Sequence, residues 1–146
     1  MRKTILLAVA IIMAILPVMA RDHISRDPYE LPQDAREMIS TYFAKHEINR
    51  IKIGSGLFGH KDYEVILDNG TEIEFDNDGK WTEIDCGHHA VPPSLIPHDI
   101  INHVKSNYAG RAIVKIERKK NKYEIELSND VDLVFDKNGR FLHVDR

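Results

Sequence analysis

The chain has 146 residues, 42% hydrophobic and 29% charged, with 20 Lys and Arg against 23 Asp and Glu. A formal charge of −3 makes the chain a poor match for phosphate backbones, whose binding needs a basic face, and argues against nucleic acid as a partner. A single cysteine excludes an internal disulfide, so stability must come from packing.

Arg2 and Lys3 precede an apolar run from Ile5 to Leu16, and Val18-Met19-Ala20 offers a small-x-small cleavage pattern. This predicts a signal peptide over 1–20, cleaved near Ala20, and a periplasmic or secreted product. A membrane span needs about 20 apolar residues, so no span is expected after cleavage. Loss of Arg2 and Lys3 takes the formal charge to about −5. The segment 21–30 then leads into 31–146, the size of one ordinary domain.

After Pro32, Ala35, Met38, Ile39, Tyr42 and Phe43 recur at helical spacing. Alternating segments follow near Ile48–Ile53, Tyr63–Leu67, Glu72–Phe75 and Trp81–Asp85. Asn69-Gly70 reads as a two-residue hairpin turn, and Asn77-Asp78-Gly79 as a longer one. After Pro97, Ile100, Ile101, Val104 and Tyr108 mark a second helix. Further strands then follow, with turns at Asn129-Asp130 and Asn138-Gly139.

The chain thus repeats itself. Leu31-Pro32 matches Ile96-Pro97, Tyr63-Glu64-Val65 matches Tyr123-Glu124-Ile125, Phe75-Asp76 matches Phe135-Asp136, and Gly79-Lys80-Trp81 matches Gly139-Arg140-Phe141. The expected fold is α+β: two tandem α-β-β-β-β repeats (31–86 and 96–146, linker 87–95), with an antiparallel sheet and helices packed on one face. The first copy carries an insertion, GSGLFGH from Gly54 to His60, with Leu57 and Phe58 between glycines.

Alternation sorts the faces. Tyr63, Val65, Leu67, Ile73, Phe75, Tyr123, Ile125, Leu127, Leu133 and Phe135 should face the helices, as should Ile84, Leu142 and Val144. Glu64, Ile66, Glu72, Glu74, Glu124, Glu126, Asp132 and Val134 should face away. By the same parity Trp81, Glu83, Asp85, Phe141, His143 and Asp145 also point outward. Aromatic and aliphatic groups among carboxylates resemble an interface core with a charged rim. The candidate partner-binding residues are therefore Trp81, Phe141, Ile66, Val134, Glu83 and His143, with Leu57 and Phe58 at the inserted tip.

The chemical motifs are weaker. Cys86, His88 and His89 could supply three metal ligands, with His23 or His60 as a fourth. Their place at the end of a strand, before Pro92-Pro93, favours a joint with Cys86 buried. His98 and His103 stand five apart, off a common helix face, and with Asp99 read as solvated surface. There is no Gly-rich phosphate loop, G-x-S-x-G or H-E-x-x-H, so no enzyme and no cofactor is expected.

The signal peptide, "YEVILDNGTEIEFDNDGKW", "IDC" before "AVPPSLIP", and "YEIELSNDVDLVFDKNGRF" together resemble the PepSY-like exported proteins of Bacteroides-type bacteria. That family's fold is similar to that of the beta-lactamase-inhibitor protein. The resemblance implies no catalysis and makes an unidentified protein or peptide the expected partner, with inhibition of a peptidase or other envelope enzyme one possible outcome. The alternative expectation is a periplasmic small-ligand or metal-binding protein.

Overall fold

The computed structural model describes residues 22–55 and 59–145. The expected signal peptide and the Leu57-Phe58 tip lie outside the described residues. In chain order the elements are β1 (His23–Ser25), α1 (Gln33–Tyr42), β2 (Ile48–Ser55), β3 (Lys61–Leu67), β4 (Glu72–Phe75), β5 (Trp81–Asp85), α2 (His98–Asn107), β6 (Ile113–Arg118), β7 (Lys122–Leu127), β8 (Asp132–Asp136) and β9 (Phe141–Asp145). Each helix is followed by four strands. All nine strands form one sheet in sequence order, each antiparallel to its neighbours.

The prolines stand just before the helices. Their carbonyls accept the first helical amides, Arg36 N–H on Pro32 and Ile101 N–H on Pro97, each at 3.2 Å. Ala35, Ile39 and Phe43 on one side, and Ile100 and Val104 on the other, recur at helical spacing and sink into the same core as the sheet. Ile51, Val65, Ile73, Ile84, Ile116, Ile125 and Leu133 meet side by side across seven strands, and none is more than 1% exposed. This row is the floor on which both helices rest. Burying each such side chain contributes about 1.5–3 kcal/mol. No described helix is long and apolar enough to cross a membrane.

Three local readings need correction. Asn69-Gly70 is not a two-residue turn: Gly70 N–H bonds to Leu67 O at 3.0 Å and Leu67 N–H to Thr71 O at 2.9 Å, leaving Asp68, Asn69 and Gly70 in the loop. Gly70 takes a φ of +82°, and its counterpart Asp130 takes +60°. The segment after Asp22 is not a mere leader, since His23, Ile24 and Ser25 pair with Ile53, Lys52 and Ile51. Leu142 does not face inward: the register slips between Val134 and Phe135, so Leu142 is the extra residue of a bulge.

Candidate partner-binding face

The face away from the helices is built by the residues alternating with the core row. Glu64 stands opposite Glu74, Glu74 opposite Glu83, Glu83 opposite Glu117, and Glu117 opposite Glu124. Five glutamates on five neighbouring strands thus form one ladder, roughly 19 Å long at the ~4.8 Å strand spacing. A second row beside it runs Ile66, Glu72, Asp85, Lys115, Glu126, Asp132 and Asp145.

Like charges directly opposite each other destabilise a sheet. Cations relieve most of the ladder. Lys115 bonds Glu83 at 2.7 Å, and Lys119 lies 3.3 Å from Glu117 and 2.7 Å from Glu124. Lys122 reaches Glu124 at 2.5 Å, and Arg50 stands 3.7 Å from Glu64. Hydrogen bonds from Lys119 and Lys122 draw the Glu124 carboxyl down to about 2.

Glu74 and Glu126 are different, because among the described residues neither has an ion pair within 4 Å. Burial pushes the Glu74 carboxyl above its ordinary value, and Glu83, Glu64 and Glu117 push it the same way. Burial, Asp132 and Asp85 do the same to Glu126. Two shallow depressions mark this face. One, of about 280 Å³, includes Asp62, Glu64, Glu74 and Thr82. The other, of about 200 Å³, includes Glu117, Glu124, Glu126, Asp132 and Val134.

The outward reading holds for Glu83, at the centre of the ladder, and for His143, exposed opposite Val134. Ile66 is half-buried on this face. Val134 shares it but is only 2% exposed, covered by its neighbours.

Trp81 and Phe141 must be reassigned. A register slip between Glu74 and Phe75 sets Trp81 opposite Phe75, a core residue, and the slip in the second half sets Phe141 opposite Phe135. Both aromatics therefore turn to the helix side and pack on the core. Arg118 lies 4.4 Å over the Trp81 ring and donates from Nη2 to its carbonyl at 2.6 Å. His103 stacks on Phe141 with centroids 4.4 Å apart, so it is no mere surface residue.

The joint holds no assembled metal site: among the described residues no three His, Cys, Asp or Glu groups stand together to hold an ion. Cys86 is in the core, and burial pushes its thiol up against the opposing bond to Thr71. His88 and His89 are exposed. The glutamate ladder escaped the sequence reading because it depends on the pairing of β5 with β6. Glu117, missing from the expected set, shares the Ile-Glu pattern of Ile73-Glu74, which was the available signal.

The family described as "Putative beta-lactamase-inhibitor-like, PepSY-like" matches residues 61–143. Among solved structures, a "putative periplasmic protein of unknown function" from Bacteroides vulgatus is similar, with 41% identity and a TM-score of 0.83 over 86% of this chain and 100% of its own. A "putative calcium-regulated periplasmic protein" from Bacteroides thetaiotaomicron is 37% identical, with a TM-score of 0.80 over 86% of this chain and 97% of its own. No curated protein matches.

Proposed function

The chain belongs to the PepSY-like family, and from that premise we propose that it is an exported, non-catalytic module that binds a cationic protein or peptide surface on its open sheet face. Export follows from the expected cleavage near Ala20, and both relatives above are described as periplasmic. The 31–146 domain is read as two copies of one α-β-β-β-β unit. The observation that carries the binding role is the glutamate ladder, with Glu74 at its unpaired point. Four of the five carboxylates already have a lysine or arginine partner, and Glu74, the unpaired one among them, is the charge that a cationic partner would relieve. Ile66 and His143 border the contact. Leu57 and Phe58 enter the proposal on their sequence alone. If the partner is an envelope enzyme such as a peptidase, occupancy of this face would inhibit it.

Affinity capture from an envelope fraction tests the reading. The native chain should retain a partner that salt releases, and a Glu74→Gln/Glu83→Gln/Glu126→Gln variant should weaken capture at least tenfold. Equal capture by the folded variant would refute it.

A second reading is that calcium tunes the same face. It rests on the description of the Bacteroides thetaiotaomicron relative and on the facing carboxylates of the ladder, which calcium would screen as a counterion, since among the described residues no three ligand groups stand together to hold an ion. Calcium should then raise the melting temperature of the native chain more than that of the triple variant. An equal response in both would remove this reading.

A further inference from the structure

Among the described residues the sheet ends at β9, and the molecule contains its own template for what fits there. The β4–β5 and β8–β9 corners are built alike. Asp76 accepts from Lys80 N–H at 2.9 Å and Asp136 from Arg140 N–H at 3.0 Å. Gly79 and Gly139 take φ values of +79° and +83°. Each corner then has one bulge, one aromatic turned to the helix side, and one branched aliphatic residue in the core row, Ile84 or Val144.

The corners differ in what lies beyond them. β6 covers the far edge of β5, pairing Glu83 with Glu117, Ile84 with Ile116 and Asp85 with Lys115. Among the described residues no strand covers β9. Ile84 is wholly buried, whereas Val144 is 41% exposed and Leu142 50%. The backbone carries the same lesson. Cys86 N–H bonds to Val114 O at 2.9 Å, so alternate amides of this segment face β6. The same alternation in β9 aims the Val144 N–H at the open edge. An edge strand with exposed apolar residues, and with no lysine or proline, is a template for strand addition.

We propose that the open edge of β9 accepts an antiparallel strand from a partner, with an aliphatic residue opposite Val144 and a cationic residue two places further on. The template is β6, where Ile116 covers Ile84 and Arg118 reaches the Trp81 ring and carbonyl. The matching target of the added cation is Phe141. The bulge at Leu142 blunts the first half of β9, as the bulge at Thr82 does in β5, and leaves the Val144 backbone for pairing. A second folded copy fits less well. Its β2 and β6 lie inside the sheet, and the Ile24 of its β1 stands opposite Lys52, on the face away from the helices.

The proposal rests on reading the two halves as copies of one unit, and it is independent of the glutamate ladder. The probe is a synthetic peptide with the sequence of residues 112–120, added to the full chain while hydrogen exchange is followed by NMR. The Val144 amide should slow at least tenfold at saturation. A peptide carrying aspartate in place of the isoleucine that corresponds to Ile116 should leave it unchanged. Val144→Pro removes the edge donor where an edge strand tolerates proline. It should keep the native melting temperature and lose the peptide. If that variant does not fold, the two peptides decide alone. No protection of Val144 at millimolar peptide would overturn the proposal, as would equal protection by the aspartate peptide. Binding that survives Val144→Pro but vanishes in Glu74→Gln/Glu126→Gln would also overturn it, while leaving the ladder as the site. Concentration-dependent protection without peptide would assign the edge to a second copy instead.

Discussion

From β3 to β7 each strand sets one branched aliphatic residue beside one glutamate: Glu64-Val65, Ile73-Glu74, Glu83-Ile84, Ile116-Glu117 and Glu124-Ile125. The two rows share strands, register and backbone bonds, and differ only in the face they meet. On the helix side each fully buried residue gains about 1.5–3 kcal/mol. On the open side each pair of facing glutamates costs about 0.2–1 kcal/mol where no cation intervenes. The inner row outweighs the outer one, so the fold tolerates an unpaired carboxylate such as Glu74 on the open side. That asymmetry separates the residues that fold the chain from those free to bind.

The sharpest way to break the comparison is Trp81→Ala. If Trp81 belongs to the inner face, packed on the core beneath Arg118, its loss should cost about 2–3 kcal/mol, less than the ~3–5 kcal/mol of a fully buried aromatic. Urea denaturation followed by circular dichroism measures it. A variant with native stability would return Trp81 to the open face.

A smaller effect is expected at the two turns beneath the helix starts. At Gly79 an added Cβ would stand 2.7 Å from Pro32 Cβ, whereas at Gly139 the nearest atom, Asp99 Cβ, would be 3.2 Å away. Both positions have positive φ, so both alanines are strained. Gly79→Ala must also push α1 off the sheet. It should cost about 2 kcal/mol, and Gly139→Ala about 1 kcal/mol. Equal losses in thermal denaturation would show that strain alone matters and that the helix contact at Gly79 is slack.

Much of the inner face was legible in the sequence, because an aliphatic residue at every second position leaves one way to bury a strand. Tyr63, Val65, Leu67, Ile73 and Phe75 all went where alternation sends them. The fourth strands were misread only at their starts, at Trp81, Phe141 and Leu142, because a bulge adds one residue and reverses parity across it. The clue was there: Trp81 and Ile84 stand three apart, and two large apolar residues cannot share one face at that spacing unless the strand is bulged. Phe141 and Val144 repeat the pattern. β1 was missed because three residues carry too little alternation to register. The glutamates of single strands were read as outward, but their ladder is a property of strand pairing, which no local pattern encodes.

The outer row can be sharpened by pH. The Glu74 carboxyl lies above its ordinary value of 4.5, so the folded state holds that proton more tightly than the unfolded chain does. Its contribution to stability is full below pH 4.5 and is lost as pH rises through the folded value. Glu74→Gln should therefore stabilise the protein at pH 7, and the gain should vanish below pH 4.5. Glu124, drawn down to about 2, has the opposite sign. It stabilises above 4.5, and that contribution fades as pH falls from 4.5 toward 2. Glu124→Gln should destabilise at pH 7 and be neutral near pH 2. Both carboxylates reach solvent, so each effect should stay within about 1 kcal/mol. Urea curves of the two variants across this range should diverge from the native curve in opposite directions. Parallel curves would mean that the ladder carries no electrostatic strain.

The smallest effect concerns the two β-turns beside the outer rows, where the halves use different residues for one backbone shape. Gly70 takes its positive φ freely, whereas Asp130 takes +60° at a cost that aspartate bears better than most residues. Asp130 also adds negative charge near Glu126 and helps to hold that carboxyl up. Asp130→Gly should relieve both terms and raise stability by about 0.5 kcal/mol. Asp130→Asn separates them, since asparagine keeps the backbone cost and removes the charge. If conformation dominates, only the glycine variant gains in thermal melts at neutral pH. If charge dominates, the two variants gain equally, and the gain disappears in acid once Glu126 is protonated. Destabilisation by glycine would mean that the Asp130 side chain holds the turn in a way that Gly70 does not need.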